Sequence, residues 1–81
     1  MKNYLDMVAN GTAAIGDPVV LRGYATLDNE SPYPVVDIKI PMVVQSIDSN
    51  TYDVTVVWIA RSNSEVHKYT FKAMMLDYVG I

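Results

Sequence analysis

The side chains that could take part in catalysis are few in this chain. The single histidine is His67, and there is no cysteine. Nucleophilic catalysis needs a nucleophile, a neighbouring base and a group that orients the base, and no grouping of residues here supplies all three. We therefore expect His67 to be a partly exposed strand residue close to Glu65, and a pH-sensitive contact is the main alternative.

Two pairs of carboxylates are close enough in sequence to be considered for acid–base chemistry. Asp28 and Glu30 lie in a polar stretch, where we expect them to be solvated, and together with Asn29 they offer oxygen ligands of the kind that divalent cations prefer. Asp48 and Asp53 flank a turn, which they are expected to help build. The sequence therefore predicts no enzyme activity, no catalytic residue, no metal site and no cofactor.

Three cations could share one surface of the C-terminal half, namely Arg61, Lys68 and Lys72. Binding to nucleic acid strengthens with the number of phosphates that a protein neutralises. The chain holds six basic and nine acidic residues, with a net charge of −3, so its overall charge argues against a nucleic-acid partner. A nucleic-acid- or ribosome-associated role through these three residues remains the alternative function.

The composition bounds the architecture and the compartment. A chain of 81 residues allows a single domain, residues 1–81. A domain of this size has a thin core, and without cysteines it has no disulfides to supplement it. The remaining possibilities are self-association and a hydrophobic core good enough to stand alone. We also expect a cytoplasmic protein with no membrane contact, because no secretory signal and no apolar run of about 20 residues is present.

The N-terminal part is expected to hold a short helix and one strand. Asn3 can cap a helix that ends at Gly11; the alternative is a loosely ordered arm over residues 1–15. A turn at 16–18 leads into a strand over 19–22. Residues 24–41 form a polar insertion with a candidate edge strand at 35–40, because prolines flank it on both sides.

The C-terminal part predicts a series of hairpins. Strands are expected over 42–47, 52–60 and 66–71, followed by one helical turn over 72–75 and a closing strand over 76–79. Both faces of the second of these strands become apolar toward its end, so we expect it to be central and buried on both sides there. If Tyr69 and Phe71 face the core, Lys68, Thr70 and Lys72 must face outward.

These elements together predict an all-β fold. Several short strands at close spacing indicate a small β-barrel of about five strands, and the helical turn before the last strand favours SH3-like topology. In a barrel of this size Trp58 and Phe71 are expected in the core.

Four segments resemble the small YodC-like proteins of bacteria and phages. Residues 16–23 are similar to that family's opening GD-x-V-x-L-K-S-G, and residues 42–48 to its M-x-V strand and turn. Residues 54–59 are similar to its V-x-C-x-W-F strand, and residues 70–76 to its closing T-F-x-x-x-x-L. The resemblance implies an SH3-like barrel, a cytoplasmic location and no established enzymatic activity. The chain departs from the family at Val56 and Ile59, where Cys and Phe are usual, and at 24–41, where the family has a short glycine-rich link.

We therefore expect a non-enzymatic protein-binding module, a bacterial or phage accessory protein that docks on a protein partner, for instance as an inhibitor, or associates with itself. The expected contact residues are Tyr24, Tyr33, Val36 and Ile38. Tyrosine suits interfaces, although local packing would also explain both tyrosines. An edge strand at 35–40 could pair with another chain, including a second copy in a homodimer; the alternative is a strand that is completed within its own barrel. A minor phage structural component and a tyrosine-lined small-molecule pocket are further alternatives.

Overall fold

Most of the described chain is β-strand. The structure, a computed structural model, describes residues 2–22, 41–59 and 64–80. Within them lie six strands, one α-helix and one 3-10 helix. Their bounds are β1 Lys2–Asn3, α1 Tyr4–Ala9, β2 Pro18–Leu21, β3 Met42–Asp48, β4 Asp53–Ile59, β5 Val66–Lys72, the 3-10 helix Ala73–Met75, and β6 Leu76–Tyr78.

The strands form one antiparallel sheet in the order β1-β6-β2-β3-β4-β5. The expected all-β class, the short N-terminal helix and the helical turn before the last strand are thereby confirmed. The closed barrel is not observed, because the hydrogen-bonded ladder of the described residues ends at β1 on one side and at β5 on the other. β1 has only two residues and runs directly into α1, so it offers little edge to which β5 could pair.

The N-terminal helix forms for the reason that the sequence indicates. Its cap is Asn3, whose side-chain oxygen accepts a hydrogen bond from the Leu5 amide at 2.9 Å. Beyond the helix, Gly11 has φ 81°, a left-handed conformation that favours glycine and lets the chain reverse. The buried residues of the helix are Tyr4, Met7 and Val8, which share one face by their spacing. The helix thus covers the core as an amphipathic element.

The core lies between α1 and the inner face of the sheet. On β4 the side chains of Val54, Val56 and Trp58 alternate inward, and Phe71 of β5 is fully buried. Trp58 is only 7% exposed. The prediction that Trp58 and Phe71 belong to the core is therefore confirmed.

The turn between β3 and β4 is built by a carboxylate, as expected. The side chain of Asp48 accepts hydrogen bonds from the amides of Asn50 at 2.9 Å and Thr51 at 3.3 Å. The Tyr52 amide donates to the Asp48 carbonyl at 2.8 Å, and Tyr52 itself has φ 61°. The turn therefore includes Tyr52, and β4 begins one residue later than the sequence predicts.

Several predicted features fall outside the described residues. These are the insertion at 24–41 with its candidate edge strand, and the side chains of Tyr24, Tyr33, Val36, Ile38, Asp28, Asn29, Glu30 and Arg61. The roles assigned to them remain predictions. Among the residues that are described, no helix is long and apolar enough to cross a membrane.

Candidate functional site

The outer face of the β4–β5 hairpin changes in polarity along its length. The register gives four cross-strand pairs on this face: Asp53 with Lys72, Thr55 with Thr70, Val57 with Lys68, and Ile59 with Val66. The first pair is a salt bridge with a nitrogen–oxygen distance of 2.8 Å, and the second joins two hydroxyls at 2.8 Å. The surface therefore passes from charged to hydroxyl-bearing to aliphatic within seven residues of strand.

The aliphatic end extends across a third strand. Val43 of β3 lies opposite Val57, so Val43, Val57, Ile59 and Val66 form one contiguous group, which we call the outer apolar patch. Val57 is half-buried, whereas Val43, Ile59 and Val66 are 46%, 62% and 72% exposed. Side chains opposite each other are about 5 Å apart, and neighbours along one face of a strand about 7 Å. The patch thus measures roughly 10 by 7 Å between the outermost Cβ atoms.

The patch corrects one expectation from the sequence. The end of β4 was expected to be buried on both sides, and β4 is indeed central between β3 and β5. Its outer side is nevertheless open at Ile59. The physical reason is that α1 places its buried side chains against the inner face, so the apolar residues on the opposite face gain no cover from it.

Lys68 and Lys72 both face outward, as predicted, but their surroundings differ. The Lys72 amine contacts Asp53 and donates to the Thr51 carbonyl at 3.2 Å. The hydrogen bond from Lys72, and then the one from Thr51, hold the pKa of Asp53 below its ordinary value. Lys68 lies beside the patch, opposite Val57, and forms no salt bridge or side-chain hydrogen bond with the described residues. Of these two cations, Lys68 is the one that no described carboxylate compensates.

His67 is on the other face of β5, where it packs. Its ring stacks on that of Trp58 with centroids 5.5 Å apart and an angle of 19° between the planes. The side chain is half-buried, which fits the expected strand histidine. In the described part of the chain no group of three His, Cys, Asp or Glu residues could hold a metal ion.

One polar contact of the core was missed by the sequence reasoning. Tyr4 is fully buried, and its hydroxyl donates to the Asp17 carboxylate at 2.8 Å. The same carboxylate oxygen accepts from the Ala14 amide at 2.8 Å. Burial, followed by the hydrogen bond to Asp17, raises the pKa of Tyr4. The burial of Tyr4 has a signal in the sequence, because Tyr4 stands three and four residues before Met7 and Val8, at helical spacing; its contact with Asp17 has none.

The fold and this surface define a small antiparallel β-sheet domain with an exposed aliphatic face beside Lys68, which has no carboxylate partner among the described residues. Comparisons with family models, with curated proteins and with solved structures found no match to this chain. The resemblance to the YodC-like proteins therefore remains a prediction.

Proposed function

We propose that this protein is a non-enzymatic protein-binding module and that the outer apolar patch is its docking surface. The observation that carries the proposal is the contiguity of the four aliphatic side chains across β3, β4 and β5. Single exposed aliphatic residues are ordinary on protein surfaces. Contiguous apolar patches of more than a few hundred Å², rimmed by polar residues, mark interaction sites, and the centre of an interface is depleted in charge; the outer apolar patch shares this contiguity and the polar rim.

Strand formation alone does not explain the patch. Thr55 and Thr70 occupy the same two strands on the same face. Threonine is β-branched and suits a strand as well as valine does, and its hydroxyl is compatible with water. Aliphatic residues at 57, 59 and 66 are therefore not needed to keep these residues extended, which supports a role in contact with another molecule.

A protein partner fits this surface better than a nucleic acid does. Lys72 is neutralised by Asp53, so the two described lysines of β5 present one uncompensated charge between them. Affinity for nucleic acid grows with the number of phosphates neutralised. The proposed setting, a bacterial or phage accessory protein acting in the cytoplasm, rests on the resemblance described above.

Matched variants test the proposed surface. Val66→Glu changes the patch, and Ile15→Glu is its control, because both residues are 72% exposed. Ile15 lies in the link between α1 and β2, and that link bonds Val44 of β3 through the Gly16 amide, two strand positions away from Val66 on β5. Each protein is used to retain partners from a native lysate, and its mass is measured by light scattering over a range of concentrations.

We expect the wild-type protein and Ile15→Glu to retain the same partner, or to share the same oligomeric mass, and Val66→Glu to lose it. Circular dichroism confirms that the variants are folded. If Val66→Glu behaves like the wild-type protein in both measurements, the proposed surface is wrong. Val36→Glu with Ile38→Glu, measured in parallel, tests the surface that the sequence predicts. Retention of nucleic acid that weakens steeply with salt would support the alternative function.

A further inference from the structure

Lys68 is the charged residue most closely integrated with the outer apolar patch. It lies directly opposite Val57 and two residues along β5 from Val66. A lysine in this position can lay its apolar stem over the neighbouring aliphatic groups while the ammonium group stays in water at their rim. Any partner that covers Val57 and Val66 must therefore come close to this ammonium group.

Covering the patch without compensating Lys68 is unfavourable. Removing water from an ammonium group costs free energy unless an opposite charge replaces the lost hydration. Within the described residues no carboxylate pairs with Lys68: Asp53 is held by Lys72, the Asp48 side chain accepts from the turn amides, and Glu65 takes part in an interaction of its own. Because the described residues supply no opposite charge for Lys68, we expect a partner that binds here to bring that charge itself.

A second copy of the chain does not meet this requirement well. If two patches face each other around a two-fold axis, the two Lys68 side chains come close together and repel. If instead Lys68 of one copy meets Asp53 of another, the patches move out of contact, because these residues are separated along the hairpin by four positions, about 13 Å. Charge complementarity therefore favours a different protein.

We infer that the partner presents a carboxylate flanked by aliphatic side chains, and that Lys68 recognises this carboxylate while the patch binds the aliphatic groups. The inference rests on the proposed function, since it names the chemistry of the partner of the same surface. It assigns Lys68 a role in specificity, because a partner segment that is apolar but uncharged would leave the lysine uncompensated.

A random dodecapeptide display library tests the inference directly. The library is selected on immobilised wild-type protein in about 150 mM salt, where exposed long-range charge effects are screened beyond roughly 8 Å, and then depleted on Val66→Glu. We expect the surviving peptides to carry Asp or Glu next to Leu, Ile or Val. Survivors without an acidic residue, or survivors rich in Lys and Arg, would overturn the inference and leave the proposed docking surface standing.

Synthetic versions of the enriched peptides then give affinities. Lys68→Gln should weaken binding about threefold to tenfold, in the range of a partly desolvated ion pair, and Lys68→Glu should weaken it further. The control is Lys2→Gln, because Lys2 is an exposed cation on the opposite edge strand. Replacing the acid of the peptide by its amide should produce the same loss on wild-type protein, and no further loss on Lys68→Gln.

The outcomes distinguish a failure of the role assigned to Lys68 from a failure of the proposed docking surface. Equal affinities for wild-type protein and Lys68→Gln, together with loss of binding in Val66→Glu, would refute the role of Lys68 alone. A library that yields no peptide dependent on Val66 would refute the patch as a peptide-docking surface, and the inference with it. The amide-substituted peptide is measured on unaltered protein, so the result stands even if a Lys68 variant folds poorly.

Discussion

Removing one hydroxyl from the core tests how α1 is attached to the rest of the domain. Tyr4→Phe keeps the fully buried ring and deletes the donor to Asp17. The carboxylate oxygen then keeps a single donor from the described structure, the Ala14 amide. We therefore expect the contact between α1 and the link that follows it to weaken without a change in packing volume.

The size of the effect follows from the burial of the two partners. A hydrogen bond to a charged group contributes about 1.5–3 kcal/mol to stability. Asp17 is half-buried, so water can replace part of the lost bond, and we expect a loss of about 1–2 kcal/mol. In a domain of 60–100 residues each kcal/mol corresponds to about 4–8 °C, so the Tm should fall by roughly 4–16 °C.

The same variant should change the response to alkali. The pKa of Tyr4 is raised in the folded protein above that of an unfolded tyrosine, which is about 10. The protonated Tyr4 hydroxyl therefore stabilises the folded state fully below the unfolded-state pKa, and this contribution is lost progressively as the pH rises from about 10 through the raised pKa of the folded state. Phenylalanine cannot ionise, so the stability of Tyr4→Phe should fall less steeply above about pH 10 than that of the wild-type protein.

Urea unfolding followed by the fluorescence of Trp58, the single tryptophan, measures both effects between pH 7 and pH 11. Tyr52→Phe is the matched control, because the Tyr52 hydroxyl forms no hydrogen bond with the described residues; its change should stay within about 0.5 kcal/mol. The reasoning is refuted if Tyr4→Phe is as stable as Tyr52→Phe at pH 7 and if its free energy of unfolding falls with rising pH above about pH 10 as steeply as that of the wild-type protein.

Substitutions at three further positions test the scaffold. Trp58→Ala should cost about 3–5 kcal/mol, as expected for a large core side chain, and a melting curve like the parent's would place Trp58 outside the core. The low pKa of Asp53 means that its bond to Lys72 stabilises the fold above the ordinary carboxyl pKa and is lost as the pH falls through the lowered one. The difference in stability between the wild-type protein and Asp53→Asn should therefore shrink from pH 7 toward pH 2, and a constant difference would contradict this. Because Tyr52 has a left-handed backbone, Tyr52→Val should cost about 1–3 kcal/mol while Tyr52→Gly stays close to the parent; the reverse order in urea unfolding would contradict the assigned strain.

The C-terminal hairpins could be predicted because each carries its own local signals. Alternation along β4 and β5 identifies the inward residues, and Asp48 marks the turn that joins β3 to β4. β1 could not be predicted, because two residues show no periodicity. Tyr4 was overlooked because its partner Asp17 is 13 residues away, and only the packed structure brings the two together.

The outer apolar patch could not be found from single strands. Val43, Ile59 and Val66 lie on three strands, and each is an ordinary strand residue when viewed alone. Only the cross-strand register shows that they adjoin one another. The apolar end of β4 predicts burial on both faces. A sequence pattern shows that a residue avoids water, but it does not show whether its own chain or another molecule covers it.

The hairpin is held in register by residues outside the outer apolar patch. Because the patch is not needed to stabilise the hairpin, it is available to bind a partner, which supports the proposed function. On the inner face Val54 pairs with Phe71 and Val56 with Tyr69, and the buried members of these pairs belong to the core. On the outer face the polar rows lie toward the Asp48 turn. Ile59 and Val66 are the last pair at the other end and are more than 60% exposed, so they bury little of their own surface.

It follows that stability and binding should respond differently to the same substitution. Val66→Glu should change the free energy of unfolding by no more than about 0.5–1 kcal/mol, because an exposed residue at a strand end makes few contacts, yet it should abolish docking. If Val66→Glu instead unfolds the domain, the patch belongs to the structural core, and its burial already contributes to the free energy of folding. Urea unfolding and partner binding measured on the same preparation distinguish these outcomes, since only a surface that folding does not use is available to a partner.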